Sequence, residues 1–200
     1  MVADIHQLIR WVWYYGYIYG GNRDRITICA YSAGAHITAL TLVKTALRMY
    51  NQNDVIGILP RYEKLVLISG PYNLSDVNQL NQMLVGSQVD GGLMQSIYNS
   101  LFVGDVSPTE ILRNVYVNPD QNISIDFGTN KMIFYYSDED QLIPKNSADE
   151  FMAQIRRVAP QIEIHYVYDQ GHHSTHDSLM MGARDGIEKY QKTFLNIIGI

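Results

Sequence analysis

The sequence is short of the features that would take it out of the ordinary globular classes. Cys29 is its single cysteine, so no internal disulfide can form and a disulfide-stapled scaffold is excluded. Basic residues are outnumbered, 15 Lys and Arg against 20 Asp and Glu, for a net charge of −5. No basic run occurs, so there is no electrostatic footprint for nucleic acid or for an anionic membrane surface. No apolar stretch approaches the roughly 20 residues needed to cross a bilayer. The opening segment, MVADIHQLIRWVWYYGY, is interrupted by Asp4, His6 and Arg10. It lacks the basic start, apolar run and small-residue cleavage site of a signal peptide. These absences make the cytoplasm the expected compartment. Internal repeats and low-complexity linkers are also missing, and 200 residues are enough for one domain with a sizeable core but not for two.

What is present reads as alternating strands and helices. Ile5, Leu8, Ile9, Val12 and Trp13 recur at helical spacing and predict a helix over 3–17. Gly20-Gly21-Asn22 stops it, and Ile26–Ala30 reads as a short buried strand. A long helix is expected from 33 to about 50, with Ile37, Leu40, Val43 or Ala46, and Leu47 on one side. Further strands are expected at 65–68, 131–136 and 162–168, with helices at about 147–158 and 184–198. This alternation predicts an α/β fold with about four parallel strands and helices on both faces. The interval 72–130 is too long for a plain crossover. It contains helical stretches near 76–85 and 92–103, and a capping box at Ser107-Pro108-Thr109-Glu110 with Ser at the N-cap and Pro at N1. The expectation is a cap or wall beside a site, or equally a packing excursion without a role in substrate choice. Tyr72, Met94, Tyr98 and Phe102 could line an apolar pocket there or serve as core.

The chemistry concentrates at Ala30-Tyr31-Ser32-Ala33-Gly34. A strand, a sharp turn through x-Ser-x-Gly and a following helix form the nucleophile-elbow pattern. The positions two before and two after the serine are expected to be small so that strand and helix do not collide, and Ala30 satisfies this in place of the usual glycine. Ser32 then stands at the start of a helix, where the dipole and free N–H groups favour developing negative charge. The backbone N–H of Ala33 is a candidate oxyanion donor. The bland alternative is that Ser32 is only a helix N-cap.

An elbow serine needs a base and an acid, in the chain order Ser, acid, His. The strand at 131–136 runs into Ser137-Asp138-Glu139-Asp140, so three carboxylates compete for the orienting role. The strand at 162–168 is followed by Gly171-His172-His173-Ser174-Thr175-His176, so three imidazoles compete as base. His36, four residues after Ser32, shares its helix but faces away from an elbow side chain, which suits a packing residue. A histidine cluster also raises a metal site. Cys29 lies in a strand expected to be buried, and no second His or Cys pair has ligand spacing, so no metal is expected.

Tyr19-Gly20-Gly21-Asn22-Arg23-Asp24-Arg25-Ile26, followed by Tyr31-Ser32-Ala33-Gly34-Ala35-His36, resembles the carboxylesterase branch of the α/β-hydrolases. The likeness is nearest to prenylcysteine methylesterases and kynurenine formamidases. Ser69-Gly70-Pro71-Tyr72-Asn73-Leu74 and Ser107-Pro108 are similar to later segments of that branch. The resemblance implies a three-layer α/β-hydrolase fold and a serine hydrolase acting on a small-molecule ester or amide without a cofactor. Ser32 would attack, His173 would shuttle the proton and Asp140 would orient the base. Asp140 is preferred because Asp-x-Leu-Ile-Pro is similar to the family's acid turn, and Asp138 and Glu139 are then solvated turn residues. His173 is preferred by its spacing from the strand end, with His172 as alternative and His176 third.

One departure is large. Members of that branch carry a His-Gly-Gly motif well upstream of the elbow, which supplies further oxyanion donors, and these 200 residues contain none. Met1 falls in what looks like the helix preceding the elbow strand, so an N-terminally truncated single domain, 1–200, lacking the family's first strands is expected. Loss of even one oxyanion donor typically costs about 10²–10³ in rate. An elbow strand without its outer neighbour would leave an apolar edge open to self-association. Three readings follow: a serine carboxylesterase, an arylformamidase, and a catalytically impaired remnant that only binds.

Overall fold

The structure, a computed structural model, describes residues 1–51, 54–73, 107–117, 124–143, 145–170 and 175–199. The described helices are α1 (Val2–Tyr15), α2 (Ala33–Ala46), α3 (Pro108–Arg113), α4 (Asn146–Val158), α5 (Ser178–Arg184) and α6 (Glu188–Ile198). The strands are β1 (Thr27–Tyr31), β2 (Tyr50–Asn51), β3 (Asp54–Val55), β4 (Lys64–Ile68), β5 (Lys131–Ser137) and β6 (Glu163–Asp169).

Four strands make one parallel sheet in the order β1-β4-β5-β6, and β2 pairs antiparallel with β3. Strand periodicity sorts the side chains of the sheet into two cores. Leu65, Leu67, Met132, Phe134 and Tyr136 face one side, where they pack with Ala39 and Val43 of α2 and with Phe151 and Ile155 of α4. Val66, Ile68, Ile133 and Tyr135 face the other, with Leu179 of α5 and Ile197 of α6. The result is the expected three-layer arrangement, and β4 and β5, apolar on both faces, are its buried centre. All four strands point the same way, so Tyr31, Ile68, Ser137 and Asp169 end on one rim of the sheet.

Several expectations need correction. β1 is half-exposed rather than buried, and Cys29 is exposed. The cause is position: among the described strands β1 is hydrogen-bonded to β4 alone. The helix expected to reach residue 50 stops at Ala46. Arg48 enters the left-handed region at φ 51°. Arg48 N–H donates to Thr45 O and Met49 N–H to Lys44 O, at 3.1 and 2.8 Å, the paired bonds of a Schellman stop. Arginine rather than glycine occupies the left-handed slot, which is why no stop signal was visible. The last helix, expected from about 184, begins at Glu188, and α5 before it was not expected: α5 ends at a similar stop, with Gly186 at φ 81° and Ile187 N–H donating to Gly182 O at 2.9 Å.

Of the 72–130 interval, the helical stretches expected near 76–85 and 92–103 lie outside the described residues, as do Met94, Tyr98 and Phe102. Ser107 does cap α3, its Oγ accepting from Glu110 N–H at 3.3 Å, while the Glu110 carboxylate meets Arg113. Leu112 and Tyr72 are fully buried. Tyr72 stacks on Phe151 at 4.8 Å between centroids, so it is a core residue rather than a pocket wall.

Tyr62 shows what these buried phenols cost and contribute. Its hydroxyl donates to Phe127 O at 3.0 Å. Burial, with the charge of Asp126 next, holds its pKa well above the ordinary value. A raised pKa means that the folded state resists ionisation while the unfolded chain ionises near pH 10, so the stability is intact below that pH and drains away above it. Replacement Tyr62→Phe is expected to cost about 1 kcal/mol near neutrality and to make the alkaline loss of stability shallower. Urea unfolding of both proteins at neutral and strongly alkaline pH checks this, and parallel pH profiles would refute it.

Candidate active site

Strand β1 delivers Ser32 to the rim of the sheet. Ser32 N–H continues the ladder by donating to Ile68 O at 2.9 Å, and Ser32 O accepts from His36 N–H at 3.1 Å to begin α2. Between these bonds Ser32 takes φ 52° and ψ −122°, a conformation that strains a residue bearing a Cβ by about 1–3 kcal/mol. It is held because both neighbours are regular, hydrogen-bonded elements. Strand, strained serine and helix therefore occur as the elbow pattern predicts. One steric expectation does not hold: a Cβ at Gly34 would meet no heavy atom within 4 Å, so contacts inside the described chain do not demand glycine there.

The Ser32 side chain meets a histidine. His176 Nε2 lies 2.9 Å from Ser32 Oγ, and His176 Nδ1 lies 2.8 Å from Asp140 Oδ2. A carboxylate can only accept, so Nδ1 carries the proton and Nε2 presents its lone pair to the serine hydroxyl. The side chains of His176 and Asp140 are 8% and 1% exposed, which makes their pairing stronger than a solvated one. Asp140 is itself fixed: Oδ1 accepts from Leu142 N–H at 3.0 Å and from Ile143 N–H at 2.9 Å.

The structure thus brings Ser32 and Asp140 together through His176. His173, expected as base, and His172, its alternative, lie outside the described residues, and the ring in contact with Ser32 belongs to the histidine ranked third. Asp138 is exposed at the turn. His36 is buried, with Nδ1 hydrogen-bonded to Pro71 O at 2.5 Å, as suits a packing residue. Ala33 is the first residue of α2, so its N–H belongs to the set without an intrahelical acceptor. Among the described residues no group of three or more His, Cys, Asp and Glu could hold a metal ion, and no helix is long and apolar enough to cross a membrane.

No family model matches the chain. Curated relatives do. The chain is 26% identical over 199 residues to a protein of Arabidopsis thaliana named probable isoprenylcysteine alpha-carbonyl methylesterase, covering 99% of this chain and 40% of that protein. It is 27% identical over 201 residues to a protein of the same name from Oryza sativa subsp. japonica, covering 99% and 45%. The chain therefore spans less than half the length of these relatives. Among solved structures, a thermostable esterase from Pseudomonas putida superposes with a TM-score of 0.61 at 13% identity, over 96% of this chain and 55% of that one. A carbohydrate esterase from gut microbiota superposes with a TM-score of 0.57 at 16% identity, over 99% and 67%. The fold is that of the α/β-hydrolases.

The strained turn predicts an ordering of variants. Ser32→Gly and Ser32→Ala both remove the hydroxyl, but only glycine tolerates φ 52° without strain. Ser32→Gly is expected to be the more stable by about 1 kcal/mol, read as the difference in urea midpoint. Equal midpoints would mean that the turn is not strained.

Proposed function

We propose that this α/β-hydrolase chain carries a serine hydrolase site for carboxylic esters, with Ser32 as nucleophile, His176 as base and Asp140 as the acid that orients it. The observation that carries the reading is the continuous chain of hydrogen bonds from Ser32 Oγ through His176 to the buried Asp140, 2.9 and 2.8 Å long. His176 here replaces His173. The curated relatives named methylesterases favour an ester over a formamide.

The chemistry follows from the tautomer. Ser32 Oγ attacks the ester carbonyl carbon while His176 Nε2 takes the hydroxyl proton. The carbonyl π electrons move onto oxygen, and the Ala33 N–H at the start of α2 is the donor we assign to that oxyanion. Asp140 stabilises the imidazolium without taking its proton. Collapse of the tetrahedral species breaks the bond to the alkoxy oxygen, which leaves as an alcohol carrying the proton from His176. Water then attacks the acyl-serine, giving up a proton to His176, and the carboxylic acid departs as Ser32 Oγ recovers its hydrogen. No metal or redox group enters these steps.

A fluorophosphonate probe tests the assignment on the chain as it stands. Labelling is expected at Ser32, lost in Ser32→Ala, and slowed by about 10⁴-fold or more in His176→Ala. His172→Ala and His173→Ala should label at close to the parent rate. Label retained in Ser32→Ala would overturn the nucleophile, and label lost in His173→Ala but kept in His176→Ala would return the base to His173. Hydrolysis of p-nitrophenyl acetate by the same variants gives the corresponding turnover series.

A further inference from the structure

Resting on the assignment of Ser32 and His176 above, we propose that Tyr31 and Asp177 form a positioning pair that holds the His176 ring against the nucleophile. Tyr31 is the last residue of β1 and Asp177 directly follows the base. The Tyr31 hydroxyl lies 3.3 Å from His176 O and donates to Asp177 Oδ1. The Tyr31 ring lies 5.2 Å from the His176 ring, tilted by 37°. One side chain therefore touches the base residue at its ring, reaches its carbonyl, and grips the residue after it.

Beside this grip, the described contacts that hold His176 are the turn's backbone and the ring's bonds to Asp140 and Ser32. His176 lies between β6 and α5, in the turn before Ser178. The local bonds there are Thr175 N–H to Ser178 Oγ at 2.8 Å and Ser178 N–H to Thr175 O at 3.2 Å. Ser137 Oγ also reaches Thr175 O, at 3.4 Å. These bonds shape the turn but leave the ring free to swing about its side-chain torsions. Asp140 holds Nδ1, and a ring pivoting on that one bond would sweep Nε2 away from Ser32. The Tyr31 ring closes off that sweep on one side.

The pairing of a phenol with a carboxylate is strong because the acceptor is ionised. Burial first, then the bond to Asp177, raises the Tyr31 pKa, so the hydroxyl stays a donor throughout the range in which an imidazole base works.

The test compares Tyr31→Phe, Asp177→Ala, Asp177→Asn, the double variant Tyr31→Phe/Asp177→Ala, and Ser32→Ala on p-nitrophenyl acetate. Misplacing a base by about 1 Å can cost up to about 10²-fold. We expect kcat to fall by up to that factor in Tyr31→Phe and Asp177→Ala while KM stays constant. The double variant should be no worse than either single one, because both break the same contact. Asp177→Asn, which keeps an acceptor oxygen, should lose less than Asp177→Ala. A parent-like kcat in Tyr31→Phe, additive losses in the double variant, or a change in KM alone would overturn the pair. Hydrolysis that persists in Ser32→Ala would instead overturn the esterase assignment. The pair is then judged by the low-field proton resonance of His176 Nδ1–H: weakened in Tyr31→Phe if the ring is released, and unchanged if Tyr31 has no hold on it.

Discussion

The site depends first on one buried carboxylate. Asp140 accepts two backbone N–H bonds from its own turn and a third hydrogen bond from His176. The first two make the carboxylate a fixed point at the end of β5, and the third extends that fixity to a ring that arrives from beyond β6. Removing the carboxylate would strand buried donors, a cost of about 1–3 kcal/mol for each group left without a partner. It would also free the imidazole to take either tautomer. In the mechanism proposed above, Asp140 acts by direction, deciding which nitrogen of His176 faces Ser32.

The sheet supplies the rest of the geometry. Three strand ends bring the three side chains to one rim: β1 carries Ser32, β5 leads into Asp140, and β6 leads towards His176. The register of β4 against both β1 and β5 sets their relative heights. Continuous apolar sequence in β4 and β5 buries both of their faces, and that burial gives the rim its rigidity. Strain collects at this rim. Ser32 has φ 52°, and Ser69, just past the end of β4, has φ 47°. Each is held by a bond to the neighbouring strand, Ser32 N–H to Ile68 O and Ser69 N–H to Tyr135 O, both 2.9 Å.

What could be read in the sequence was what neighbouring residues decide. The elbow is five consecutive residues between a strand and a helix, so it was legible, as were the alternating strands and helices and the carboxylate-bearing turn that follows β5. The base was not. Three histidines occur between His172 and His176, and choosing among them requires knowing how the turn at 175–178 folds back on the rim. Bonds from Tyr31 and Ser137, distant in sequence, contribute to that fold. Spacing from the strand end, which treats the loop as extended, favoured His173, a residue outside those described. The end of α2 and the start of α6 were misplaced similarly: one left-handed stop is filled by Arg48, and the other, at Gly186, fell inside the helix expected from 184 to 198. The strand's own composition, Thr-Ile-Cys-Ala-Tyr in β1, has no alternation of polar and apolar residues to mark an edge; the open edge was expected instead from the missing upstream strands of the resembled fold.

The strain at Ser32 has a directional consequence. Successive residues of a regular strand point to opposite faces, so Tyr31 and Ser32 in an unbroken β1 would send their side chains apart. In this structure both reach the same ring: Tyr31 packs beside His176, and Ser32 Oγ meets its Nε2. The positive φ at Ser32 breaks the alternation and turns the serine to the side already occupied by the tyrosine. A single strand end then brings Ser32 and Tyr31 to His176 together. A shift of β1 along β4 would carry both and leave their mutual distance little changed. Strain in this position works as alignment: the energy stored in one dihedral keeps two neighbouring residues on a common target, and relaxing it to a regular strand would separate Ser32 from His176 while leaving the sheet intact.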